Sequence, residues 1–389
     1  MAVSKWNNRL MSRRQFLHTM VLLAGGCAVT PQRSAQSPMV ATASPLPTTA
    51  PTPTTTPTAT AQTTIFNGDR AFEHAVAQME WVPRHTGTDG WRKCGDYILD
   101  QLARQGWSAE EQPFTYMQTD CRNLIGKRGQ GPLLIIGAHY DSRRYADEDP
   151  DPARRTEPVP AANDGASGIA VLLELARVLQ PETLNRTIWL VAFDAEDNGN
   201  IDGWDWIAGS THFVKVLTER PQGMVLVDMI GDADQQLYYE RNSHQAMNEG
   251  VWEIAADLGH PAFVPTPRHS MLDDHTPFLE EGIPAIDIID FDYPYWHTTA
   301  DTLDKIHPYS LEVVGTTVQE WLLQDAPGLP PMPAAPDDPT PTATPAPLRS
   351  HLFLPFIGCS YGCKTRAQEA AIARREDGEE TLCYQTKIR

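Results

Sequence analysis

The chain has 389 residues, 31 Lys and Arg against 50 Asp and Glu, and a formal net charge of -19. That balance excludes nucleic acid as a partner, because a phosphate backbone needs a basic footprint, and it leaves cationic ligands and peptide amino termini open. An apolar share of 41% excludes a wholly disordered chain, and six Cys are too few for a disulfide scaffold of this length.

Residues 1–27 read as an export signal. Ser12-Arg13-Arg14-Gln15-Phe16-Leu17 precedes a short apolar run, Met20–Ala24, well below the roughly 20 residues a membrane span needs. The twin arginine resembles a Tat signal. Leu23-Ala24-Gly25-Gly26-Cys27 resembles a lipobox with Cys27 as the lipidated residue, although Ala24 stands where Leu is usual. The plain alternative is a cleaved signal with an incidental Cys. The expected location is extracytoplasmic, with a lipid anchor at Cys27 as the further expectation. Residues 28–64 are rich in Thr and Pro, and no charge occurs from Ser34 to Gly68, the composition of an extended stalk.

The pattern changes at 65. Residues 69–81 and 91–105 place apolar side chains at helical spacing. Leu133–Ala138 is continuously apolar, as in a strand buried on both faces. Residues 165–179 form a helix with Asn163 or Asp164 as cap. Thr187–Phe193, Met224–Asp228 and Pro284–Ile289 repeat the buried-strand pattern, while 245–258 and 309–323 are helical. Alternating buried strands and helices place 65–325 in the α/β class, as one three-layer domain. Its mixed, mainly parallel central sheet is covered by helices on both faces. A Pro-rich linker, 326–347, and a short tail, 348–389, complete the chain. The tail carries Cys359, Cys363 and Cys383, with no fourth ligand for a zinc knuckle. Its literal G-x-S-x-G at 358–362 lacks the strand and helix a nucleophile elbow requires.

The residues just beyond each strand are more informative. His139 and Asp141 come after the first, Asp194-Ala195-Glu196-Asp197 after the second, Asp228 ends the third, and Trp296-His297 lies beyond the fourth. In open α/β sheets the carboxyl ends of strands form the ligand edge. Carboxylates gathered there repel unless a cation neutralises them, and imidazole with carboxylate suits zinc. Three ligands leave a fourth position open, and we assign Asp164, Asp197 and His297, with Glu196 beside them as general base and acid. The plain alternatives are Asp164 as a helix cap, Asp197 and Glu196 as solvated acids, and His297 as a satisfied loop imidazole.

His139-Tyr140-Asp141, Asn163-Asp164-Gly165, Glu196-Asp197, Asp228-Met229-Ile230-Gly231 and His297-Thr298 resemble the M28 zinc peptidase superfamily across 65–325. Two activities share that frame, a two-zinc aminopeptidase and a one-zinc glutaminyl-peptide cyclotransferase. Three features resemble the cyclotransferases. Gly209-Ser210 comes late, after a 199–207 loop carrying Trp204 and Trp206. Asp273-Asp274-His275 occupies a segment where aminopeptidases usually have Ser in place of Asp273. Trp296 directly precedes His297.

The resemblance implies one zinc, a peptide or protein N-terminus as substrate, and Glu196 relaying a proton. It implies Asp273 holding the amide nitrogen, Asp228 sharing a proton with another carboxylate, and Trp206 and Trp296 walling the pocket. For an aminopeptidase, His139 and Asp228 would join a bridging Asp164 around a second zinc. A metal-deficient binding module is the third reading. His244, His260 and His307 read as structural, and His275 as orienting Asp273 or the next turn. Cys94 and Cys121 allow a disulfide outside the cytosol. The loop 143–160 reads either as an entrance rim or as solvated chain, and a monomer is expected.

Overall fold

The computed structural model describes residues 64–331. The expected export signal, Cys27, nearly all of the stalk, most of the linker and the whole Cys-bearing tail lie outside the described residues. No helix among those described is long and apolar enough to cross a membrane.

Two helices open the domain, α1 (Gly68–Met79) and α2 (Asp89–Arg104), capped by the Asn67 and Thr88 side chains. The central sheet comprises β1 (Ser108–Tyr116), β2 (Thr119–Gly129), β3 (Leu133–His139), β4 (Thr187–Phe193), β5 (Gly223–Asp228) and β8 (Ala285–Ile289). Its order is β1-β2-β4-β3-β5-β8. The pairs β3·β4, β3·β5 and β5·β8 are parallel, whereas β1·β2 and β2·β4 are antiparallel. Between strands come α3 (Ala166–Val178), α4 (Ala208–Lys215), α5 (Gln245–Asp257) and α6 (Thr276–Glu280), with α7 (Pro308–Leu323) closing the fold. A two-stranded parallel ribbon of β6 (Leu237–Tyr239) and β7 (Phe263–Pro267) forms a second sheet.

Strands β3, β4 and β5 bury alternate residues on opposite faces, which is why they read as nearly unbroken apolar runs. Leu134, Ile136 and Ala138 face one core with Ile98, Ile169, Leu173, Val251 and Trp321. Leu133 and Ile135 face the other with Phe213 of α4 and Phe278 of α6. The expected three-layer mixed sheet is what the chain forms.

Helix α3 starts at the carboxyl edge of the sheet and runs back, so its far end marks the opposite edge. There Arg177 donates to Ile65 O, and Asn67 N donates to Glu174 Oε1. The chain leaves at that same edge. Gln222, just before β5, donates to Pro330 O, and Arg186, just before β4, pairs with Asp325 at 2.7 Å. Trp321 Nε1 also donates to Pro327 O. The first residues of the expected Pro-rich linker thus hydrogen-bond to the domain at Pro327 and Pro330.

Cys94 and Cys121 are buried and free, so the allowed disulfide is absent. Asp290, at the end of β8, accepts from Gln236 N at 2.8 Å and Asp292 N at 3.2 Å. Burial, against those hydrogen bonds, pushes its carboxyl from the ordinary 3.8 up to about 7. Asp290 thus binds its proton more tightly folded than unfolded. That contribution is complete below the ordinary value and is lost as pH rises through the folded one. Urea titrations of Asp290→Asn should show the variant gaining on the parent between about pH 4 and about pH 7. A constant difference across that range contradicts the assignment.

Candidate metal centre and catalytic edge

The ends of β3, β4 and β5 and the segment beyond β8 place the site. At the end of β3, His139 is buried, and nearby Asp141 turns both oxygens to backbone. Asp141 Oδ1 accepts from Glu196 N at 3.1 Å and Oδ2 from Asp197 N at 3.3 Å. This holds the turn after β4, where Ala195 takes a left-handed backbone, φ 54, a strained conformation for a non-glycine residue. Asp194 braces the turn from below, accepting from Thr86 Oγ1, Trp91 Nε1 and Arg122 N. Burial and the neighbouring Asp141 push Asp194 up to about 7.

Asp164 is held differently. Asp301 Oδ1 accepts from Asn163 N at 2.8 Å and Oδ2 from Asp164 N at 3.1 Å, while Tyr293 OH donates to Asp301. Asn163 Oδ1 accepts from Gly231 N, joining this turn to the end of β5. Gly165 cannot be replaced here, because its φ is +121 and a Cβ would stand 2.8 Å from the His139 ring. The expectation that Asn163 or Asp164 caps α3 is corrected: Gly165 holds the cap position with no side-chain bond. The reason is that the Asp164 carboxylate turns to the site instead.

Two donor sets result, His139 with Asp164 and Asp228, and Asp164 with Asp197 and His297, each with ligand atoms within 4.8 Å of one another. His139 Nε2 is 3.1 Å from Asp164 Oδ1 and 3.1 Å from Asp228 Oδ1. His297 Nε2 is 2.9 Å from Asp197 Oδ1 and 3.5 Å from Asp164 Oδ2. Asp164 thus faces one set with each oxygen. Both oxygens of Asp164 and of Asp197 are buried; imidazole nitrogens face the two carboxylates, and the Arg143 guanidinium stands 3.8 Å from Asp197 Oδ1. Burial, then the charges of Asp164 and Glu196, push Asp197 well up. Burial lowers the His139 imidazole, but Asp228, Asp141 and Asp164 more than offset it and leave it raised. Desolvated acids of this kind, opposite imidazole nitrogens, fit a divalent cation that takes mixed nitrogen and oxygen donors.

The rest of the expected site assembles beside these sets. Glu196 and Asp273 are buried, and Asp273 Oδ1 accepts from Asp274 N at 2.7 Å. Asp274 is not among the residues that sequence reasoning places in the site. Burial, then Glu196 and Asp273, push its carboxyl well up, so Asp274 belongs to the same electrostatic cluster. Trp296 stacks on the His297 ring at 3.6 Å between centroids, and Trp206 lies parallel to it at 5.9 Å. His275 does something other than expected: its Nε2 lies 3.3 Å from Glu240 Oε2, with Asp287 beyond Nδ1 at 3.9 Å. His244 and His307 cap α5 and α7, and His260 meets Thr317 Oγ1.

Residues 123–322 match peptidase family M28. The chain belongs to that family. Members of its cyclotransferase branch are among the proteins the chain is similar to. The chain is 25% identical over 267 residues to a glutaminyl-peptide cyclotransferase-like protein of Bos taurus, a stretch covering 58% of this chain and 67% of that one. A solved glutaminyl cyclase of Porphyromonas gingivalis is 32% identical at a TM-score of 0.64, covering 67% of this chain and 99% of its own. A Zn-dependent exopeptidase of Parabacteroides distasonis is similar to the same degree, at 31% identity and TM-score 0.64 over the same shares. Similarity of this degree is therefore shared by a cyclase and an exopeptidase alike, and the choice between them rests on the site.

Proposed function

We propose that this M28 chain is a zinc-dependent glutaminyl-peptide cyclotransferase, converting the N-terminal glutamine of peptides or proteins to pyroglutamate with release of ammonia. The observation that carries the reading is the pair of indoles stacked with His297, Trp296 at 3.6 Å and Trp206 at 5.9 Å, at an edge that also holds buried Glu196, Asp273 and Asp274. Flat rings on an imidazole favour a short planar side chain, such as a carboxamide, over the varied side chains an exopeptidase must admit.

Asp164, Asp197 and His297 would hold one zinc, whose chemistry is Lewis-acid polarisation of the γ-carboxamide oxygen. The substrate brings its own nucleophile, the α-amine. In the reaction the bond from the α-nitrogen to the side-chain carbonyl carbon forms and the bond to the amide nitrogen breaks. Glu196 accepts the proton the amine loses and delivers it to the departing ammonia, so protons balance within one carboxylate. Asp273 accepts a hydrogen bond from the amide nitrogen and orients it as a leaving group. Trp206 and Trp296 exclude water, which would otherwise compete as nucleophile. The composition of residues 1–27 supports an exported chain.

An aminopeptidase is the second reading, favoured by one observation: the His139, Asp164 and Asp228 donor set is complete. Ammonia release from a glutaminyl peptide separates the two. Ammonia without free glutamine supports the cyclotransferase, and free glutamine without ammonia refutes it.

A further inference from the structure

The loop after β3 stands in the sequence as either rim or solvated chain. The structure makes its first residues part of the site's framework. Arg143 is only 2% exposed. Its Nε and Nη2 donate to the two oxygens of Asp147 at 2.7 and 2.6 Å. Its Nη1 donates to Asp197 O at 2.9 Å and Gly199 O at 3.3 Å. Its guanidinium carbon lies 4.8 Å from the Trp206 ring centroid. Trp206 also packs directly on Gly199, where a Cβ would stand 2.0 Å from the indole. The next residues of the loop clamp the opposite wall: Glu148 N donates to His297 O at 3.3 Å, and Asp149 Oδ2 accepts from Thr299 N at 3.0 Å.

A buried guanidinium is costly unless its donors are satisfied, and here a bidentate carboxylate and two carbonyls satisfy them. We propose that Arg143 is a positioning residue that fixes Trp206 as a wall of the substrate pocket and so sets how tightly the N-terminal side chain is held. The proposal rests on the reading of Trp206 as pocket wall given under Proposed function. Only a planar fork serves carboxylate, carbonyls and ring face together, so lysine is not an equivalent replacement.

The experiment compares the parent, Arg143→Lys, Trp206→Ala and the double variant, all as the full chain loaded with zinc. Kinetics use whichever N-terminal peptide the parent turns over, glutaminyl or leucyl; a parent that turns over neither is assayed by calorimetric Kd for the glutaminyl peptide. The product of the parent thus reports on the reaction class, and the variants report separately on the wall. Arg143→Lys is expected to raise KM (or Kd) roughly ten-fold with kcat within about three-fold and zinc content unchanged, the signature of lost ground-state binding. In the Trp206→Ala background the same change should shift KM less than about two-fold, since the two residues act as one unit. An unchanged KM in the single variant overturns the proposal, as do additive effects in the double. A fall in kcat and zinc content at constant KM also overturns it, because Arg143 would then act through Asp197. Where Arg143→Lys fails to fold, Asp147→Asn, which leaves the guanidinium in place but loosens its anchor, replaces it in the same cycle under the same criteria.

Discussion

Glu196→Gln should lower kcat by about a thousand-fold, within the 10²–10⁴ range that a positioned general base contributes. The substitution keeps shape and the backbone bond from residue 196 N to Asp141 Oδ1 at 3.1 Å, and removes the charge and the capacity to take a proton. Zinc content should be unchanged, because Glu196 is not a member of either donor set. The loss is therefore chemical and not structural. The charge of Glu196 raises both Asp197 and Asp274, so neutralising it relieves repulsion. The metal-free variant should melt no lower than the metal-free parent. Stopped assays for kcat, metal analysis and a thermal melt check the three parts. A variant that keeps more than about a tenth of the parent kcat contradicts the proton relay through this carboxylate.

The second large effect is removal of the metal. A chelator should take activity to background and zinc should restore it, while His297→Ala should stay inactive after zinc is added. The acids at this edge are desolvated and mutually repelling, so a cation that binds only the folded chain stabilises it strongly, by about 4 kcal/mol at a thousand times Kd. The zinc-loaded chain should accordingly melt well above the stripped one. Equal melting temperatures, with activity surviving chelation, contradict a metal at Asp164, Asp197 and His297.

The candidate site is legible in the sequence because its parts are anchored to the most legible elements. β3, β4, β5 and β8 are buried on both faces, and such strands read as continuous apolar runs. The residues they deliver, His139, Glu196, Asp197 and Asp228, stand at or just beyond their ends. The β1–β2 hairpin does not read as strands. β1 alternates exposed and partly buried positions and carries Pro113, tolerated because β1 is an edge strand paired on one side only. The ribbon of β6 and β7 is too short to leave a periodic signal.

The residues that hold the site are harder to see than those that form it. Asp301 reaches back across 138 positions to fix Asn163 N, and nothing near Asp301 in the chain marks that partner. Arg143 lies in a stretch of Asp, Arg and Pro whose composition matches solvated loop, yet its side chain is buried against Asp147, Trp206 and two carbonyls. Apart from the Arg143–Asp147 pair, four residues apart, these contacts are distant in sequence, and single-chain patterning carries no record of them. The cap expected at Asp164 fails for a related reason: the local rule favours a capping acid, and the site claims the carboxylate.

The central claim is most directly tested by mass spectrometry of two peptides incubated together with the zinc-loaded chain, one beginning with Gln and the other with Leu. A glutaminyl peptide lighter by one ammonia, beside an untouched leucyl peptide, is the expected result. A leucyl peptide shortened by its first residue would contradict it and identify an aminopeptidase.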